Sequence, residues 1–139
     1  MPRRFRSKAT LRIMGDALVP DDVTRLLCCP PTRAETKGEV IRSEHSGRQR
    51  VAHTGSWRLV ASDRNPEDLE GQVAEIFSRL NHDPATWKAL AEAYTIDLFV
   101  GPFMAKDNEG LTLSPQALAM LSERHVTLSL DIYGPNGDD

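Results

Sequence analysis

Four separated stretches of this chain alternate apolar and polar residues with a period of two, and that repeat limits the fold more than any other feature. The clearest is Val126, Leu128, Leu130 and Ile132, interleaved with Thr127, Ser129 and Asp131. Ala9, Leu11 and Ile13 alternate with Thr10 and Arg12, and Gly15 ends the run. Trp57, Leu59 and Ala61 alternate with Arg58, Val60 and Ser62, and Ile96, Leu98 and Val100 with Asp97 and Phe99 ahead of Gly101-Pro102. Successive side chains leave a strand on opposite faces, so each stretch reads as a half-buried strand.

Between these stretches the apolar spacing becomes helical. Pro20, Asp21 and Asp22 open a helix over 21–28, with acids where the N-terminal dipole favours them. Val23, Leu26 and Leu27 form its inner stripe, and Pro30-Pro31 stops it. Asn65-Pro66-Glu67-Asp68 supplies a cap, a first-turn proline and acids. Leu69, Val73, Ile76, Phe77 and Leu80 then fall on one helical face. Asp83-Pro84 repeats the start signal before Trp87, Leu90, Ala91 and Tyr94, and Ser114-Pro115 opens a further helix with Ala117, Leu118 and Leu121. Residues 32–56 are charged and short of apolar positions, so Ser46-Gly47 turns a hairpin between 39–44 and 48–54 or sits in an exposed loop. Residues 106–110 read as a polar loop.

Strand, glycine, proline-started helix and strand recur in 10–62 and in 95–133. This order predicts an α+β domain with a ferredoxin-like split β-α-β sheet, antiparallel or mixed. The helical segment 66–94 is expected as an insertion, with the helices mainly on one face of the sheet. A chain of 139 residues, 40% of them apolar, buries enough surface for one core. The expected organisation is a basic tail over 1–8, a single domain over 9–134 and a polar tail over 135–139. No apolar run approaches a membrane span, and no apolar stretch follows the basic start as a secretory signal requires. Cys28 and Cys29 are adjacent, which ordinary disulfide geometry does not allow, and no zinc spacing is present. These features fit a cytoplasmic protein.

The formal charge is −3, from 17 basic and 20 acidic residues, which argues against a binder of nucleic acid or membrane over its whole surface. The charge is uneven. Residues 33–58 carry six basic against three acidic side chains, and 63–92 carry seven acidic against three basic. The acidic set, Asp63, Glu67, Asp68, Glu70, Glu75, Asp83 and Glu92, offers a face for a basic partner.

Few residues are arranged for chemistry. None of His45, His53, His82 and His125 stands four residues from another, and no His-Glu-x-x-His occurs. His45 and His53 with Glu44 would need the hairpin and a further ligand to hold a metal. A cysteine at a helix C-terminus lies at the negative end of the dipole, which opposes a reactive thiolate. Asp16, Asp21 and Asp22 cluster near a strand end, where capping already accounts for two of them. No serine elbow and no phosphate-cradling glycine loop are present. The reading calls for no catalytic residue, no metal and no cofactor, and it leans away from an enzyme.

Several short segments, in order, resemble a bacterial family known as domain-of-unknown-function family 4279. They are Gly15-Asp16 with Pro20-Asp21-Asp22-Val23-Thr24, then Pro31-Thr32, Lys37-Gly38-Glu39, Gly55-Ser56-Trp57, Leu113-Ser114-Pro115 and Asp131-Ile132-Tyr133. The resemblance spans roughly 9–134 and implies no known reaction, cofactor or catalytic residue. Small bacterial proteins that look like this include suspected toxin-neutralising immunity proteins, which is an association and not a mechanism. The function expected is a non-enzymatic protein-interaction module, with an immunity-type inhibitor as its specific form and another protein as its partner. Its binding surface is expected on the side of the sheet that the helices leave bare, with Arg12, Arg58, Thr127, Ser129 and Asp131. The plain alternative to a binding role is that Arg12 or Arg58 simply pairs with Asp131 across the strands. The alternatives are an anion or nucleic-acid site built from Arg33, Arg42, Arg48, Arg50 and Trp57, or an enzyme not recognisable from sequence that uses His45 and His53 with Glu44. The sequence names neither the partner nor an oligomeric state.

Overall fold

Arg6–Gly15 forms the strand, β1, on which the sheet is built. The computed structural model describes residues 6–104 and 110–134. After β1 come α1 (Pro20–Leu27), β2 (Arg33–Glu35), β3 (Val40–Arg42), β4 (Gln49–Val51) and β5 (Gly55–Val60). Then follow α2 (Leu69–Ser78), α3 (Pro84–Ala93), β6 (Thr95–Phe103), α4 (Pro115–Glu123) and β7 (Thr127–Leu130). The described residues thus make a mixed α+β fold, with five strands in the order β2-β5-β1-β6-β7 and a separate two-stranded sheet of β3 and β4.

β1 is antiparallel to β5 on one side and to β6 on the other, β2 is antiparallel to β5, and β7 is parallel to β6. It follows that β1 and β2 run the same way with β5 between them, and that β5 and β6 run the same way with β1 between them. The helical segment expected as an insertion, 66–94, is therefore the connection from β5 to β6. β7 comes after α4 and extends the sheet beyond β6.

The alternation in β1 separates the two faces of the sheet. Ala9, Leu11 and Ile13 are fully buried and belong to one apolar cluster. Trp57, Leu59, Ile96, Leu98 and Val100 join it from the flanking strands, and Val23, Leu27, Val73, Ile76, Phe77, Trp87, Leu90 and Leu121 join it from the helices. All the helices thus contribute to the core on the same side. Phe77 and Trp87 meet edge to face at 5.9 Å. Both indole N–H groups are satisfied, Trp57 donating to Thr24 Oγ1 at 3.0 Å and Trp87 to the carbonyl of Asn81 at 2.7 Å.

The sequence reading and the structure differ at several ends. β1 starts at Arg6, where 1–8 was expected to be a tail. Ser7 is buried there because it donates to Gln72 Oε1 at 2.6 Å, while Gln72 Nε2 donates to the carbonyls of Ser7 and Ser62, each at 3.0 Å. α2 begins at Leu69 with Asp68, not Asn65, as its cap, and the Asn65–Pro66 peptide is cis. The run 126–132 shortens to β7, and Leu130 and Ile132 are exposed because they extend past the core that holds Val126 and Leu128. Residues 32–56 do contain the hairpin, with Gly47 in the left-handed conformation at φ 68°. Gly55 also has no room for a side chain, since a Cβ would lie 2.8 Å from the carbonyl oxygen of Gly15. The expected loop at 106–109 and the tail 135–139 fall outside the described residues.

Beside the apolar core, Gln72 ties α2 to the start of β1 by hydrogen bonds to Ser7. Gln72→Ala is expected to lower unfolding free energy by about 2–3 kcal/mol in urea titrations, because it strands the Ser7 hydroxyl and two carbonyls without partners.

Candidate functional site

The side of the sheet opposite the helices carries the even-numbered residues of β1, and none of them belongs to the apolar cluster. Cross-strand partners share a face, so the register fixes its composition. Arg33 pairs with Arg58, Arg58 with Arg12, Arg12 with Asp97 and Asp97 with Thr127. One row therefore crosses all the strands of the main sheet and places three arginines side by side.

Each arginine in the row meets different surroundings. Arg12 donates side-on to Asp97, Nε to Oδ1 at 2.8 Å and Nη2 to Oδ2 at 2.5 Å, and lies 4.4 Å over the Phe99 ring. These hydrogen bonds raise the Arg12 pKa above its ordinary value despite burial. Ser129 Oγ donates to the same Asp97 carboxylate at 3.0 Å. Arg33 reaches Glu35 Oε2 at 3.1 Å. Arg58, in the middle, has no ion pair among the described residues, and its Nε is buried without an acceptor.

Of the residues expected in a bare-face site, Arg12, Arg58, Thr127 and Ser129 share this face. Asp131 lies beyond β7 and accepts from the Tyr133 hydroxyl at 2.9 Å, so the cation–carboxylate pair of the face is Arg12–Asp97 and not one with Asp131. The sequence reading missed Asp97 as a site residue, although its alternation with Ile96 and Leu98 already put it on the polar side.

The hairpin of β3 and β4 adds a second basic surface beside β2. Arg33, Arg42, Arg48 and Arg50 line one cleft of about 570 Å³, together with Ile41, Glu44 and His45. Arg50 donates to Glu35 Oε2 at 2.5 Å, and this contact, with Arg33 also near, holds the Glu35 pKa low against the effect of burial. Trp57 is no part of the cleft, because it is fully buried on the core side. His45 sits at the hairpin tip, whereas His53 lies past its base, beyond Val51. Among the described residues no group of three or more His, Cys, Asp or Glu side chains comes together to hold a metal.

A family model described as "Domain of unknown function (DUF4279)" matches residues 4–135. The chain belongs to this family. Comparison with curated proteins and with solved structures finds no match. No helix among the described residues is long and apolar enough to cross a membrane.

In this DUF4279 domain the segments that carry the family pattern hold the fold together. Trp57 donates to Thr24, the Val60 N–H donates to Thr32 Oγ1 at 3.0 Å, and Thr36 N–H to Glu39 Oε1 at 3.0 Å. Ser114 caps α4 through the Ala117 N–H. Asp16 pairs with Lys37 at 3.1 Å, which lowers its pKa, and Asp22 pairs with Arg25. Two members of the acidic cluster near the end of β1, Asp16 and Asp22, are thus taken up by local partners. Cys28 is an exposed left-handed helix cap at φ 61°, and Cys29 packs against the core.

Several acids of the helical segment of the DUF4279 domain are engaged by their own chain, while Asp63, Asp68, Asp83 and Glu92 stay exposed. Asp68 and Asp83 cap α2 and α3, Glu67 accepts from the Leu69 N–H, and Glu70 accepts from the Ser114 hydroxyl and N–H. Burial raises the Glu75 pKa, but Arg64 at 2.8 Å and the Ser62 donors outweigh it and hold the carboxyl below its ordinary value. Glu67, Asp68, Glu70, Glu75 and Asp83 are thus engaged in structure, while the arginines of the open face and cleft outnumber their carboxylates.

Two measurements test this electrostatic arrangement. Asp97→Ala is expected to cost about 1.5–3 kcal/mol by urea titration, since it leaves Arg12 beside other cations without its acceptor. Adding Arg12→Leu to that variant recovers part of the loss. The Glu75 carboxyl titrates lower folded than unfolded, so its contribution is complete above the ordinary glutamate value of about 4.3 and is lost as pH falls through the folded value. The stability gap between the wild type and Glu75→Gln is therefore expected to be constant near neutral pH and to close in acid.

Proposed function

We propose that this DUF4279 domain is a non-enzymatic protein-interaction module that docks its partner on the open face of the sheet. The observation that carries the reading is one-sided apolar packing: the helices contribute to one core on one face, and the other face, where Asp97 and Ser56 are themselves buried, presents a cross-strand row of charged side chains. Open-faced sheets offer a preformed surface, and strands fix its side chains more rigidly than loops do. An immunity-type inhibitor, which would neutralise a toxin by covering it, is the specific form of this reading. The same strand order supports reading β2-β5-β1-β6 as a ferredoxin-like split β-α-β sheet, with α4 and β7 added at its edge. A reducing, cytoplasmic setting agrees with two unpaired cysteines.

A second reading is favoured by one specific observation, the four arginines around the hairpin cleft. They suit a phosphate-bearing ligand, nucleic acid included. Binding of that kind falls steeply with salt, and a flat gel-shift titration at low salt would remove it.

The interaction reading is tested by affinity capture from an extract of the cell that makes the protein, followed by cross-linking. A stoichiometric partner is expected, with cross-links to the open-face strands. Val60→Trp, at an exposed position of β5 on that face, is expected to abolish the complex, whereas Leu118→Trp, at an exposed position of α4, keeps it. Equal behaviour of the two variants, or no stoichiometric partner, would overturn the reading.

A further inference from the structure

We infer that Arg33, Arg58 and Arg12 form a carboxylate-binding row for an acidic, partly apolar segment of a partner protein, which rests on the open face being the docking surface. Three like charges in direct cross-strand register oppose one another in the free protein. The outer two are compensated, Arg33 by Glu35 and Arg12 by Asp97. Arg58 is not: it has no ion pair among the described residues, and its buried Nε lacks an acceptor. A guanidinium has five donors and no acceptor, so the donors of Arg58 that reach the surface take oxygen atoms, those of water or of an incoming anion. Strands lie about 4.8 Å apart, which spreads the row over about 10 Å, the reach of a short run of side chains.

The surroundings choose carboxylates of a protein over the phosphates of a nucleic acid. Val60, exposed and two residues along β5 from Arg58, and the half-buried Met14 and Phe99 give the row apolar flanks. The one aromatic residue of the basic 33–58 stretch, Trp57, is buried on the other face and offers no base a stacking platform. The planar guanidinium fork fits a carboxylate or a phosphate with two parallel hydrogen bonds, so the apolar flanks and the missing stacking platform make the choice.

The experiment is fluorescence anisotropy at low ionic strength, with a labelled peptide of alternating glutamate and leucine and a labelled single-stranded RNA of equal charge. The full chain is compared with Arg58→Gln and with Lys88→Gln, an equal charge change on the exposed side of α3. The peptide is expected to bind, with at least about tenfold weaker affinity for Arg58→Gln and less than about twofold loss for Lys88→Gln. Arg58→Gln is also expected to match or exceed the wild type in thermal stability, so a loss of binding is not a loss of fold. Equal losses in both variants, no peptide binding, or tighter Arg58-dependent binding of the RNA would each overturn the inference. If the captured partner is lost on Val60→Trp but binds Arg58→Gln as well as the wild type, the carboxylate row fails while the docking surface stands. If Val60→Trp has no effect on that partner, the docking surface itself fails.

Discussion

The placement of β1 between two antiparallel neighbours governs everything else in the molecule. Its ladders with β5 and β6 fix the register of the central strands, and its alternation then assigns every side chain in them to the core or to the open face. A slip of one residue would drive Arg12 into the helices and expose Leu11 and Ile13, which is why such a register is strongly held. The same ladders that bury Ala9, Leu11 and Ile13 therefore also align Arg58, Arg12 and Asp97 across the opposite side. Core and candidate site are two results of one pairing.

Much of this was legible in the sequence because alternation and proline-started helices are local signals. Ala9 to Ile13, Trp57 to Ala61 and Ile96 to Val100 announce their strands, and Asp83-Pro84 and Ser114-Pro115 announce the helices that cap on them. β2 was not legible, because Arg33, Ala34 and Glu35 are too few to show a period and their strand exists only by pairing with β5. Its omission hid the extension of the row to Arg33. The Arg12–Asp97 pair was equally hidden: alternation gives each residue a face, but only the ladder register says which residues stand opposite one another. Leu130 and Ile132 misled for a related reason, since a period of two shows an apolar side without showing how far the helices reach to cover it.

The charge distribution has a physical logic that a net value conceals. Carboxylates cluster in the helical segment, where capping and ion pairs with Arg64 and Arg79 hold them to their own chain. Arginines concentrate on the open face and around the cleft, where Glu35 and Asp97 answer only some of them. A chain that is slightly acidic as a whole thus presents a locally basic surface, and long-range repulsion and short-range attraction act on an anionic partner at different distances.

Glu35 has a consequence for the hairpin. β3 and β4 share no ladder with the main sheet, and among the described residues the ion pair from β4 to that sheet is Arg50 to Glu35. Val40 and Val51 are exposed, so little apolar burial holds the hairpin in place. The carboxylate therefore bridges two of the arginines that line the cleft. An anion in the cleft would compete with Glu35 for Arg50, so ligand binding there and this contact between hairpin and sheet oppose each other.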